Sequence, residues 1–127
     1  MRKSKINISG FKIGTAENRE GLTGVTVILA PDGGATAGVD VRGCAPGTRE
    51  TDLLDPRKTV QKIHAVVLSG GSAFGLEAAS GCVKYLAEQG VGFPIGNVCV
   101  PIVCSAVLFD LMIGDEKAYP DLRSEEH

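Results

Sequence analysis

The residues with most chemical promise lie in one short run, Ser69-Gly70-Gly71-Ser72-Ala73-Phe74-Gly75. It stands between an apolar stretch that reads as a strand and a longer one that reads as a helix. Glycines at such a junction let the backbone turn sharply, and the free N–H groups at a helix start can face an anion or a polarised carbonyl. Three chemistries compete for it. A dinucleotide fingerprint needs G-x-G-x-x-G, and Gly70, Gly71 and Gly75 do not supply that spacing. A nucleophile elbow at Ser72 needs G-x-S-x-G, and Phe74 stands where the last glycine belongs. Its base would have to be His64, which sits inside the preceding strand and reads as a core or edge residue. The preferred reading makes Ser72 a helix N-cap, worth about 1 kcal/mol, with the loop N–H groups facing a substrate.

A second concentration of charge runs from Arg42 to Asp55 and holds Arg49, Glu50, Asp52 and Asp55. A carboxylate pair could do acid–base work there. An Arg–carboxylate network that holds a long loop in place is preferred, since nothing in the spacing sets two carboxylates face to face. The four cysteines, Cys44, Cys82, Cys99 and Cys104, include no C-x-x-C pair, and there are two histidines, one of them the last residue, His127. That donor set argues against a four-ligand metal site. The cysteines read as buried, reduced thiols acting as small hydrophobes. No cofactor is implied.

Positioning such a site needs a scaffold, and the apolar pattern suggests one. Gly24 to Ala30 is rich in β-branched residues and reads as a buried strand. The turn Pro31-Asp32-Gly33-Gly34 follows, and Ala35 to Val41 returns as a second strand, giving a hairpin. Residues 43–58 are polar with two prolines and read as a long ordered loop. Ile63 to Leu68 is a short apolar strand. Ala73 to Gln89 reads as a helix burying Phe74, Ala78, Ala79, Cys82, Val83 and Leu86, with Gly90 as its stop. Residues 91–101 should be loop with short extended pieces. Val103 to Ile113 is apolar, and periodicity leaves strand and buried helix turn open.

Composition narrows the function classes. The 127 residues suit one domain or a piece of a larger one, and 43% are apolar, enough to build a core. With 13 basic and 15 acidic side chains, there is no positive excess to neutralise a phosphate backbone, which argues against nucleic-acid binding. The basic start at Arg2, Lys3 and Lys5 lacks a following apolar region and is no signal peptide. No apolar run is long enough to span a bilayer. The expectation is a cytoplasmic protein that binds neither membrane nor nucleic acid.

Three long segments carry a resemblance. Gly38 to Leu54 (GVDVRGCAPGTRETDLL), His64 to Ala79 (HAVVLSGGSAFGLEAA) and Val100 to Leu111 (VPIVCSAVLFDL), followed by Gly114 to Asp121, resemble the signature segments of the DmpA-type (P1) peptidases, peptidase family S58. They occur in family order and extend over about Gly10 to Asp121. The resemblance implies an α/β (α+β) fold, part of the αββα sandwich shared with ornithine acetyltransferases. It also implies a precursor that cuts itself ahead of a serine or threonine. The new N-terminal residue then attacks an amide carbonyl, and an asparagine supplies an oxyanion donor.

Two departures follow from the same comparison. No segment here matches the family's cleavage site, nucleophile or oxyanion asparagine, so no catalytic residue is assigned within this chain, and alone it is expected to be inactive. The aminopeptidase branch resembles E-T-Y-D or E-T-W-D where this chain has Val107-Leu108-Phe109-Asp110. Val107 cannot hold a substrate amine as that glutamate does, and Phe109 keeps a ring without its hydroxyl. In this segment the nylon-oligomer hydrolases are nearer. The resemblance thus assigns Gly70, Gly71, Ser72, Ala73, Phe74 and Phe109 to substrate binding. It implies a peptide or small-amide substrate and, as partner, a missing C-terminal portion or nucleophile-bearing subunit. A degenerate, non-catalytic binding module of the same fold is the alternative. Lacking its partner strands, the chain is expected to expose Val25, Val27 and Leu29 on one face and Val66 and Leu68 on another, and to form homo-oligomers.

Overall fold

The computed structural model describes residues 8–123. The basic start at Arg2, Lys3 and Lys5 and the polar end at Ser124 to His127 lie outside the described residues. Within them the fold is α+β: one five-stranded sheet, a separate two-stranded ribbon and one α-helix. In chain order come β1 (Lys12–Asn18), β2 (Thr23–Leu29), β3 (Thr48–Arg49), β4 (Ala65–Ser69), α1 (Ala78–Glu88), β5 (Phe93–Ile95), β6 (Val98–Val100) and β7 (Val103–Val107). The sheet order is β1-β2-β4-β7-β3, and the ribbon pairs β5 with β6. β4 and β7 run parallel, and the chain between them includes α1; the other pairs are antiparallel.

The central strands are the near-continuous apolar runs TGVTVIL and AVVLS, rich in β-branched residues. Register assigns their side chains. Val25, Val27 and Leu29 of β2 stand opposite Ser69, Val67 and Ala65 of β4, and Ala65 in turn stands opposite Val103 of β7. These residues share the face that α1 covers. Val25, Ala65, Val67 and Val103 pack there with Ala78, Ala79, Cys82 and Leu86 as the main core. Small residues on the buried side of α1 let it lie close to the sheet. Its end is a Schellman motif: Gly90 takes a φ of +70°, its N–H donates to Ala87 O at 3.0 Å, and the Val91 N–H donates to Leu86 O at 2.9 Å. On the opposite face Ile63, Ile102 and Cys104 gather Leu53, Leu54, Val60 and Val66 beneath the long loop.

Several expectations need correction. The strand at Ala35 to Val41 and its hairpin do not form; Ala35 makes only an isolated bridge to Ile63. Both edges of β2 are already occupied, by β4 and by β1, which has no counterpart in the sequence reading. Inside the loop at 43–58, Thr48–Arg49 adds a short edge strand to β7, and Asp52–Leu54 makes a 3-10 turn. The run at 103–113 resolves into β7 and a turn-rich segment. The helix proper starts at Ala78, because Ser72–Glu77 winds as a 3-10 helix. A 3-10 helix advances about 120° per residue, not 100°. That shift takes Phe74 off the buried stripe and leaves it 57% exposed. Val25, expected at an open face, is buried under α1, and Val27 and Leu29 pack against the same core. Leu68, on the other face, is 46% exposed, as expected, but Val66, expected to be exposed with it, packs against the Ile63, Ile102 and Cys104 cluster.

Candidate functional site

β4 and β7 are neighbours and parallel, so their C-terminal ends open on the same edge of the sheet. The glycine run leaves β4 there, and Leu108-Phe109-Asp110 leaves β7. Backbone bonds tie the two exits together: the Leu108 N–H donates to Ser69 O and the Ser72 N–H donates to Leu108 O, both at 2.9 Å. Gly70 to Phe74 and Phe109, far apart in sequence, thereby come to one place. Phe74 stacks on Tyr119, with centroids 4.6 Å apart and planes 13° apart. Phe109 is 71% exposed, so the two phenylalanines border an open surface.

The turn itself is strained and held. Gly71 has φ +87° and Ser72 φ +52°, the latter in a region that side-chain-bearing residues rarely adopt. Asp110 fastens it. Its Oδ1 accepts from the Gly71 N–H at 2.7 Å and its Oδ2 from the Thr23 hydroxyl at 2.9 Å. One carboxylate thus joins the start of β2, the glycine turn and the exit of β7. The fit is close, since a Cβ on Gly70 would collide with both Asp110 Oδ2 and Thr23 Oγ1. Asp110 was not among the residues expected at the site; the signal that could have found it is its place directly after Phe109.

Ser72 is not the expected N-cap. Gly71 precedes the 3-10 turn, no side chain caps it, and Ser72 itself carries the left-handed backbone. Nor can His64 activate Ser72. The whole of β4 lies between them, a separation of roughly 15 Å at strand rise. The His64 Nδ1 accepts the Ile102 N–H at 3.0 Å, and burial pushes the imidazole pKa down from 6.5. His64 is the core residue that the sequence suggested.

The long loop is organised differently from expectation. Arg49 donates to Ser80 Oγ on α1, not to a carboxylate. Asp55 is bound by the guanidinium and backbone N–H of Arg57, which hold its carboxyl down to about 2. Arg57 is exposed and Asp55 half-buried, so the pair lies at the surface, where ion pairs add little stability. The Cys104 thiol donates to Glu50 O, and burial with the nearby Glu50 charge pushes it up to about 11. Cys82 is buried as well, but Cys44 is exposed and Cys99 half-buried, against the expectation of four buried thiols. Among the described residues no three His, Cys, Asp or Glu side chains group to hold a metal ion, and no helix is long and apolar enough to cross a membrane.

Comparison with known proteins places this arrangement. An uncharacterized aminopeptidase of Mycobacterium leprae is 53% identical over 97 residues, 76% of this chain and 26% of that protein. A 6-aminohexanoate-oligomer endohydrolase of Kocuria sp. is 35% identical over 117 residues, 92% of this chain and 30% of that protein. Its counterpart in Paenarthrobacter ureafaciens is 36% identical over 117 residues, again 92% of this chain and 30% of that protein. The chain therefore spans about a quarter to a third of the length of the curated relatives it matches. The model of peptidase family S58 matches residues 5–121, including both exits from the parallel strands. The chain belongs to peptidase family S58.

Proposed function

We propose that this chain contributes the substrate-facing loops of an amide or peptide hydrolase. The nucleophile comes from outside these residues, from the rest of the same domain or from another subunit. One observation carries the reading: the glycine turn and the β7 exit are built into a single held surface, and His64, the base that an elbow at Ser72 would call on, is buried at the other end of β4. Relatives about three times as long leave ample sequence for a self-processed serine or threonine and its oxyanion donor. The substrate is a peptide or small amide lying along Gly70 to Phe74 and Phe109. Val107 and Phe109 offer no charge to a free amine, which favours amides recognised by apolar contact over those held by their amino terminus.

The test compares this chain with a protein that carries the full family domain. The 127-residue chain should release no amine from aminoacyl anilides or small oligoamides, and Ser72→Ala should change nothing. The complete protein should hydrolyse at least one of them, with KM rising in Phe109→Ala. Activity of the short chain that disappears in Ser72→Ala would overturn the reading and restore the elbow.

A further inference from the structure

We infer that Asp110 is a positioning residue for substrate binding, acting through the glycine turn without touching substrate; the inference rests on the function proposed above. The Gly71–Ser72 backbone lies in left-handed conformations at φ +87° and +52°. A serine in that region persists only where its surroundings hold it. Three contacts supply the hold. The Ser72 N–H is fixed by Leu108 O at 2.9 Å, the Gly71 N–H by Asp110 Oδ1 at 2.7 Å, and Tyr119 stacks on Phe74. Of these, the Asp110 contact alone has a carboxylate as acceptor, and charge-assisted bonds are roughly twice as strong as neutral ones. Its second oxygen, bound by Thr23 Oγ1 at 2.9 Å, prevents the carboxylate from rotating away from Gly71. Asp110 is half-buried and follows Phe109 directly, so one residue registers both halves of the surface. If it lets go, the turn relaxes relative to Phe109, and the substrate meets two loops that no longer agree.

Asparagine separates geometry from charge. Its Oδ1 can still accept from Gly71 and its amide can donate to Thr23 Oγ1, whose hydroxyl rotates to accept. In the complete family protein, Asp110→Ala should raise KM about tenfold or more, as expected for a lost hydrogen bond to a charged group. kcat should fall far less, because the nucleophile is elsewhere. Asp110→Asn should restore KM to within about threefold of wild type, and Thr23→Val should fall between them. Hydrogen exchange at the Gly71 amide reads the contact without substrate: slow in wild type and Asp110→Asn, faster in Asp110→Ala. An unchanged KM in Asp110→Ala with a lowered melting point would overturn the inference and leave a purely structural contact. Asn as damaging as Ala would overturn it too. A wild-type protein inactive on every amide would refute the proposed function instead; equal exchange at Gly71 in wild type and Asp110→Ala would then refute the clamp by itself. Should Asp110→Ala not fold, Thr23→Val and Asp110→Asn decide between the same outcomes.

Discussion

Gly75→Ala is a one-carbon change that should disturb both stability and site. Gly75 is buried in the first turn after the glycine run. A Cβ there would collide with Gly70 O, and would lie 2.8 Å from Ser69 Oγ and 3.0 Å from the Gly70 carbonyl carbon. Ordinary Cβ contacts do not come that close, and none of these atoms belongs to a long side chain that can swing aside. Ser69 Oγ is itself committed, donating to Gly70 O at 2.9 Å. The Gly70 peptide has to move by about 1 Å, or the helical turn has to lift from it. Overpacking of this kind costs about 1–3 kcal/mol. Against a net stability of about 5–15 kcal/mol, that is a substantial fraction. Because Gly70 leads into the Asp110 contact, the displacement passes to Gly71 and Ser72, and misplacement by about 1 Å near reacting groups can cost about 100-fold in rate. Urea denaturation of wild type and variant measures the first effect. Amide chemical shifts of Gly70, Gly71 and Ser72 measure the second. A variant as stable as wild type with those shifts unmoved would refute the reasoning, since it would mean that the junction has room that the structure denies.

Ser105 Oγ is buried on β7 with no hydrogen-bond partner among the described residues, so Ser105→Ala should leave stability unchanged or raise it by about 1 kcal/mol in the same denaturation assay. His64 has a folded pKa below 6.5, so the unfolded chain takes up the proton first on acidification. Stability should therefore fall as pH drops below about 6.5, and a His64→Gln variant should lose that component of the pH dependence in urea midpoints. The face carrying Leu68, 46% exposed, and Ile13, also 46% exposed, should drive self-association, which Leu68→Lys should weaken in sedimentation. A monodisperse wild-type monomer with a sharp, high melting transition would contradict that.

The sequence was most readable where one local signal dominated. β2 and β4 are β-branched apolar runs, α1 carries a helical stripe ended by glycine, and each lies within a few residues of its expected place. The failures have a common physical source in competition for partners. Ala35 to Val41 has strand-like composition, but a strand needs an edge to pair with, and β2 has none left. β1, with the pattern KIGTAEN, has little β character of its own and forms because β2 presents an edge. The 3-10 winding of Ser72–Glu77 likewise depends on contacts that periodicity cannot carry.

The site divides along the same line. Gly70 to Phe74 and Phe109 could be named from segment resemblance, and β-strand adjacency explains why they meet. What the sequence did not disclose was the agent that fixes them. Asp110 and Thr23 are 87 residues apart, and their bond exists only because β2, β4 and β7 lie side by side. Ser72 shows the converse. Its local sequence suggested a cap or an elbow, and both readings presume a backbone that this turn does not adopt. A serine with positive φ, anchored by its N–H to Leu108 O, leaves its side chain outside both roles and puts its backbone to use. This edge of the sheet therefore offers backbone N–H groups and aromatic surface, the two features on which the proposed substrate-binding role rests.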